Sequence, residues 1–204
     1  TTFAITADSG ELAWQAERLV ISLVRNCPES NVIVFIPESA IDDLSNRVYD
    51  LFELHATIVT GEIPLPEYPI SAMIQAFVEA ERVSETEYLV ALDTDTLVLD
   101  TPTITGDADV WARPADVGVQ YWTTAKAADD WRRLCDAFGL PHPSEEERLV
   151  STVDRTSIPP YYNSGVVVTT DRTLPEHWLE LTTELVRRDD LPVESSEFFT
   201  DQIS

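Results

Sequence analysis

Apolar positions along this chain follow two rhythms that alternate. FAITA (Phe3 to Ala7) is a short continuous apolar run that Asp8-Ser9-Gly10 breaks, which reads as a buried strand and a turn. From Glu11 to Arg25 the apolar positions Leu12, Ala16, Leu19, Val20, Leu23 and Val24 recur at helical spacing. NVIVFIP (Asn31 to Pro37) predicts a second strand, Ser39 to Phe52 a helix, and ATIVT (Ala56 to Thr60) a third strand. A loop with Pro64, Pro66 and Pro69 leads to a helix over Ile70 to Arg82, with Ile70, Ile74, Phe77 and Val78 on one face. The stretch YLVALDTDTLVLD (Tyr88 to Asp100) then reads as strand, polar break and strand. Beyond it, VWARP (Val110 to Pro114) and VGVQYW (Val117 to Trp122) look like strands and Ala125 to Phe138 like a helix. A polar loop over Pro141 to Pro160, a strand over Gly165 to Thr170 and a helix over Leu174 to Arg188 complete the pattern. Near-continuous apolar strands alternating with amphipathic helices predict an α/β fold around a mixed, mostly parallel central sheet with helices on both faces. No internal repeat or low-complexity linker interrupts it, so a single domain over residues 1–204 is the simplest expectation.

The break inside YLVALDTDTLVLD carries the candidate chemistry. Asp93 and Asp95 fall where an apolar strand ends, and ligands of open α/β sheets bind outside the carboxyl ends of the strands. In an extended backbone, residues two apart point to the same side. Two carboxylates so placed repel unless a cation sits between them. A hard divalent ion, Mn²⁺ or Mg²⁺, suits such oxygen donors. Thr94 is expected to point the other way. A bare Asp-x-Asp is a common pattern in an acidic chain; the pair Asp107 and Asp109 reads as a solvated loop.

Composition changes this picture in one respect. Thirteen basic residues stand against thirty-seven acidic ones, a formal net charge of −24, and Lys126 is the only lysine. The acidity recurs along the whole chain, as expected of a halophilic protein: at molar salt the Debye length falls to about 3 Å and an acidic surface no longer repels itself. With no basic face, nucleic acid is excluded as a partner. Cys27 and Cys135 are too few and too isolated for a disulfide framework or a zinc site, so reduced thiols and a cytoplasmic setting are expected, at most peripheral to the inner face of the membrane. No apolar run approaches the roughly 18 residues of a transmembrane segment. Thr1 and Ser204 both read as cut ends, and the C-terminal end as a truncation.

Four segments in order resemble a known family. YLVALDTDTLVLD resembles the strand and DxD motif of the GT-A fold nucleotide-sugar glycosyltransferases, closest to the glycogenin-like and galactosyltransferase-like family 8. FAITADSG is similar to that family's first strand and nucleotide loop, YYNSGVVV (Tyr161 to Val168) to its Asn-Ser/Ala-Gly segment, and FFTDQIS (Phe198 to Ser204) to its Asp-Gln motif. The resemblance implies a GT-A, Rossmann-like sheet and a metal-dependent transfer of sugar from a nucleotide-diphosphate sugar, a UDP-sugar, to an acceptor hydroxyl with retention. It implies Asp93 and Asp95 as metal ligands, Ala7 and Asp8 at the nucleotide, Asn163, Ser164 and Gly165 at the donor sugar, and Asp201 and Gln202 near the anomeric carbon. In two respects the sequence departs from the family. The helix before the DxD strand has no Lys or Arg between Ile70 and Glu81, with Met73 about where one is expected, and the chain ends before the family's third ligand, a histidine. His55, His142 and His177 read as surface or loop residues.

Other readings of the same residues stay open. Asp8 or Ser9 could cap the following helix. A sugar-nucleotide-binding relative without turnover would share the whole pattern. A phosphatase of the haloacid-dehalogenase type also uses Asp-x-Asp, but on its first strand. A nucleotidyltransferase shares the topology, but needs a glycine-rich basic loop that ADSGELAW lacks.

Overall fold

A computed structural model describes residues 1–190 and Gln202. The elements follow the sequence rhythm: β1 (Thr2–Thr6), α1 (Glu11–Asn26), β2 (Asn31–Pro37), α2 (Asn46–His55), β3 (Thr57–Gly61), α3 (Ser71–Val83) and β4 (Leu89–Leu92). Then come β5 (Val110–Pro114), α4 (Ala128–Phe138), the short β6 (Leu149–Val150) and β7 (Ser157–Ile158), β8 (Tyr162–Thr169) and α5 (Leu174–Arg187). Six strands form one sheet in the order β3-β2-β1-β4-β8-β5. β1 pairs in parallel with both β2 and β4, β2 in parallel with β3, and β8 antiparallel to β4. This is the expected mixed, mostly parallel sheet.

The described residues form two compact units, 1–111 with 165–179, and 112–164 with 180–190. The first holds the parallel strands. Their side chains alternate between two cores, as a period of two dictates. Phe3 and Ile5 of β1, Val32, Val34 and Ile36 of β2, and Val90 and Leu92 of β4 pack under α1 and α2. Ala4, Ile33, Phe35, Leu89 and Ala91 face the other way, against Ile74 and Phe77 of α3 and Trp178 of α5. Phe77 meets Trp178 edge-on, ring centres 6.2 Å apart. Helices therefore cover both faces, and that is why the strands read as continuous apolar runs rather than as alternations.

The second unit centres on aromatic packing. Trp122 and Tyr161 are fully buried with Leu134, Ile158 and Leu185. Trp131 sits edge-on to Trp122 at 5.3 Å and donates its indole N–H to the Trp122 carbonyl at 2.7 Å. α4 ends at Gly139, whose φ of 65° is left-handed, a conformation that favours glycine; the Leu140 amide then closes on the Cys135 carbonyl at 2.8 Å. Cys27 and Cys135 are free and buried, and burial pushes both thiols up, away from the reactive thiolate.

Four sequence expectations change. The helix expected over Ser39 to Phe52 is broken: a 3₁₀ turn covers Glu38–Asp43, Leu44 is extended, and the Ser45 hydroxyl caps α2 by accepting from the Val48 amide at 3.4 Å. The strand expected after the DxD motif does not form. Leu97 and Leu99 are 55% and 84% exposed, and the Val98 backbone is held by α1 instead, its amide donating to Ser22 and its carbonyl accepting from Asn26. Val117 to Trp122 is not a strand; its end tightens into a 3₁₀ turn over Tyr121–Thr123 that buries Trp122. The polar loop over Pro141 to Pro160 contains the small β6–β7 ribbon. His55, His142 and His177 are exposed, as expected, and His142 pairs with Asp136 at 2.9 Å.

Truncating Phe77 to Ala removes the ring at the centre of the α3 core. Denaturant unfolding should show a loss of about 3–5 kcal/mol, the cost of a large aromatic cavity. A second expectation concerns acid. The Asp154 carboxylate is held below its ordinary range, first by the Ser151 hydroxyl and then by the Gly118 amide at 3.0 Å. A lowered folded value means the contribution is complete above about pH 4 and is lost as pH falls through that lower value. Thermal melts from pH 6 to pH 2 should therefore show the wild type losing more stability than Asp154→Asn, and parallel curves would refute this.

Candidate active site at the carboxyl ends of β1 and β4

The strand order reverses between β1 and β4: the chain builds outward from β1 to β3, then α3 carries it back to β4 on the other side of β1. A crevice opens at such a switch point, outside the carboxyl ends of the two strands. Here it is a cleft of about 210 Å³, lined by Thr6 and Asp8 after β1, by Leu92, Asp93 and Thr94 after β4, by Leu12 of α1, and by Pro69, Ile70, Ala72 and Met73 at the start of α3. The Thr6 hydroxyl donates to the Ala72 carbonyl at 3.0 Å, tying β1 to α3 at the cleft wall.

Asp93 is half-buried and lines this cleft; its amide donates to the Gly165 carbonyl at 2.9 Å. The chain then turns, with the Thr96 amide donating to the Asp93 carbonyl at 3.1 Å. The expectation of two carboxylates on one side of an extended strand is thus corrected: both stand on a turn. Asp95 is exposed there and is not among the residues lining the cleft. Thr94 also departs from expectation, lining the cleft and donating to Gln15 of α1 at 3.1 Å. Among the described residues, no group of three His, Cys, Asp or Glu side chains is placed to hold a metal. Two carboxylates on one turn are nonetheless hard donors of the kind Mg²⁺ and Mn²⁺ accept, ions that commonly keep water and phosphate oxygens as their remaining ligands. The donor set fits such an ion.

Asp8 does not cap α1. The N-cap is Gly10, at φ 63°, with no side-chain cap, and the Asp8 carboxylate accepts from the Ser9 amide at 2.6 Å. It faces the cleft. Ala7 is fully buried and its amide donates to the Phe35 carbonyl at 2.9 Å, so its methyl packs in the core rather than at the cleft. Asn163, Ser164 and Gly165 lie on β8, with Ser164 and Gly165 buried and Gly165 paired to Asp93. Gln202 is half-buried, and its side-chain oxygen is buried without a hydrogen-bond partner among the described residues. Asp201 lies outside the described residues. Leu12, expected in the core, is 45% exposed at the cleft mouth. Sequence periodicity could not separate it from the buried face of α1. Thr6, Pro69 and Ile70 also carried no sequence signal of a site.

No curated protein matches the chain. Among solved structures, the galactosyltransferase LgtC in complex with donor and acceptor sugar analogues is similar in fold, with a TM-score of 0.55 at 14% identity, over 91% of this chain and 64% of that one. An active-site mutant of LgtC gives a TM-score of 0.56 at 14% identity, over 99% of this chain and 70% of that one. The chain thus spans about two thirds of LgtC, and the GT-A sheet is common to both. A family model covers nearly the whole sequence, residues 3–204, and the chain belongs to the Rhodobacterales glycosyltransferase domain family.

Proposed function

We propose that this domain transfers a sugar from a UDP-sugar to an acceptor hydroxyl, with a divalent metal held by Asp93 and Asp95. The observation that carries the reading is the cleft at the β1–β4 switch point, with Asp8 from one strand end and Asp93 from the other in its lining. Asp8 accepts the ring N–H of the base, and Ala7 contributes only its backbone. Asn163, Ser164 and Gly165 border the donor sugar. Asp201 and Gln202 stand at the anomeric carbon, a placement that rests on the resemblance of FFTDQIS to the family motif. The bond from the anomeric carbon to the diphosphate breaks, the acceptor oxygen bonds to that carbon, UDP carries off the bonding electron pair, and the hydroxyl proton is released to solvent. When bound, Mn²⁺ or Mg²⁺ supplies Lewis-acid stabilisation of the departing diphosphate. Retention follows from the family-8 likeness. A sugar-nucleotide-binding domain without turnover is the second reading, favoured by the apolar Met73 in the cleft.

Calorimetric titration of UDP in molar KCl tests the site. Binding should require Mn²⁺, and Asp93→Ala and Asp95→Ala should each weaken it at least about tenfold, the loss of one charged ligand interaction. Asp95→Ala should leave stability within about 0.5 kcal/mol, since the residue is exposed. Undiminished binding by both variants would contradict the metal assignment. UDP release from UDP-sugars separates the two readings: the transferase turns over, the binder does not.

A further inference from the structure

We propose that a cavity at the amino end of β4 is a second binding site, for a neutral saccharide stacked on Trp111 and Tyr88. It is separate from the β1–β4 cleft. Tyr88 precedes β4 and Asp93 follows it, about 16 Å apart along an extended chain. The lining comes wholly from the first compact unit. The cavity holds about 400 Å³, against 210 Å³ for the cleft. Small-molecule sites commonly run from about 300 to 1,000 Å³.

The aromatic wall is built before any ligand arrives. The Trp111 and Tyr88 rings are half-buried, with centres 6.0 Å apart and planes tilted by 58°, so they make an angled wall. The Trp111 indole N–H donates to the Thr105 carbonyl at 2.9 Å, which fixes the ring. Gly106 then turns with φ at 97°, in the left-handed region that favours glycine. A Cβ at this glycine would stand 3.8 Å from the indole nitrogen, so the loop runs close beside the ring. The loop is anchored at its far end, where the Asp109 carbonyl accepts from the Thr169 hydroxyl at 2.8 Å and the Thr170 amide at 2.9 Å. A ring already held in place loses little rotamer freedom on binding. Its apolar, electron-rich face suits the C–H face of a pyranose.

Polar groups of both kinds surround that wall. Glu85, Glu87, Asp107 and Asp109 bring carboxylates and Arg172 a guanidinium. The pair Asp107 and Asp109, expected from the sequence to sit in a solvated loop, is exposed and lines this cavity. Arg172 donates to the Ser84 carbonyl, and its Nε lies 3.7 Å from Glu81. Its Nη1 is buried in the wall with no hydrogen-bond partner among the described residues, a donor that a ligand or water oxygen would satisfy. Sugar hydroxyls both donate and accept, so they match a rim that does the same. An anion would meet four carboxylates, and a cation would meet Arg172. Among the described residues, no three of these carboxylates are placed to hold a metal.

Saturation-transfer NMR on the whole chain, with methyl β-galactoside, methyl α-glucoside and methyl β-N-acetylglucosaminide as probes, tests the site. Wild type should bind at least one, with a Kd on the order of 1 mM for a single ring. Trp111→Ala should weaken that binding at least about tenfold, whereas Trp111→Phe, which keeps a ring face, should stay within about threefold. Asp93→Ala should bind the sugar as wild type does. Where Trp111→Ala fails to fold, Glu87→Ala and Asp107→Ala change exposed positions and should each cost about twofold to tenfold, one hydrogen bond's worth. No binding of any probe by wild type would overturn the proposal. Binding that ignores the Trp111, Glu87 and Asp107 changes, or that Asp93→Ala abolishes, would overturn it too. Choline bound more tightly than every sugar and lost in Trp111→Ala would mark an aromatic cation site and overturn the saccharide assignment.

Discussion

The parallel pairing of β1 with β4 is the constraint on which the rest depends. Phe3 lies beside Val90 and Ala4 beside Ala91, and each strand is covered on both faces by helices. Strands buried on two sides cannot carry a charge along their length without a large desolvation penalty. Polar chemistry is therefore confined to the residues just past their carboxyl ends. In β1 those are Ala7 and Asp8, and in β4 they are Asp93, Thr94 and Asp95. Because the chain reverses its build direction at this pair, none of the described connecting segments closes over the gap between them, and a cleft results.

The antiparallel β8 completes the arrangement. Its Gly165 carbonyl takes the Asp93 amide and so fixes the backbone where the strand gives way to the turn. The same strand then carries Ser164 and Asn163 onward. Backbone hydrogen bonds on both sides of Asp93, to Gly165 and from Thr96, shape the turn.

The two-faced burial was legible in the sequence because continuous apolar runs at FAITA, NVIVFIP and YLVAL have few alternatives to parallel strands. The place of the Asp93–Asp95 pair just past a fourth strand was legible for the same reason. The geometry of that pair was not. Periodicity reads TLVL after the motif as strand, but the Val98 backbone is held by Ser22 and Asn26 of α1, contacts 76 and 72 residues distant in sequence that no local window contains. Once the turn forms, the same-side rule for extended chains lapses, and Thr94 enters the cleft with Asp93. The break before α2 was missed because Leu44 fits a helical face as well as an extended linker. Ala7 and Asp8 adjoin in sequence, yet one packs in the core and the other faces the cleft.

The position of the metal tests the account most directly. Crystals grown with UDP and Mn²⁺ can be measured at the manganese absorption edge, where the ion alone gives a strong anomalous peak. The account predicts one peak within bonding distance of Asp93 and Asp95 carboxylate oxygens, about 2.0–2.6 Å for such hard cations, with the diphosphate on its far side. A peak away from this turn, or UDP bound in the cleft with no peak at all, would contradict it.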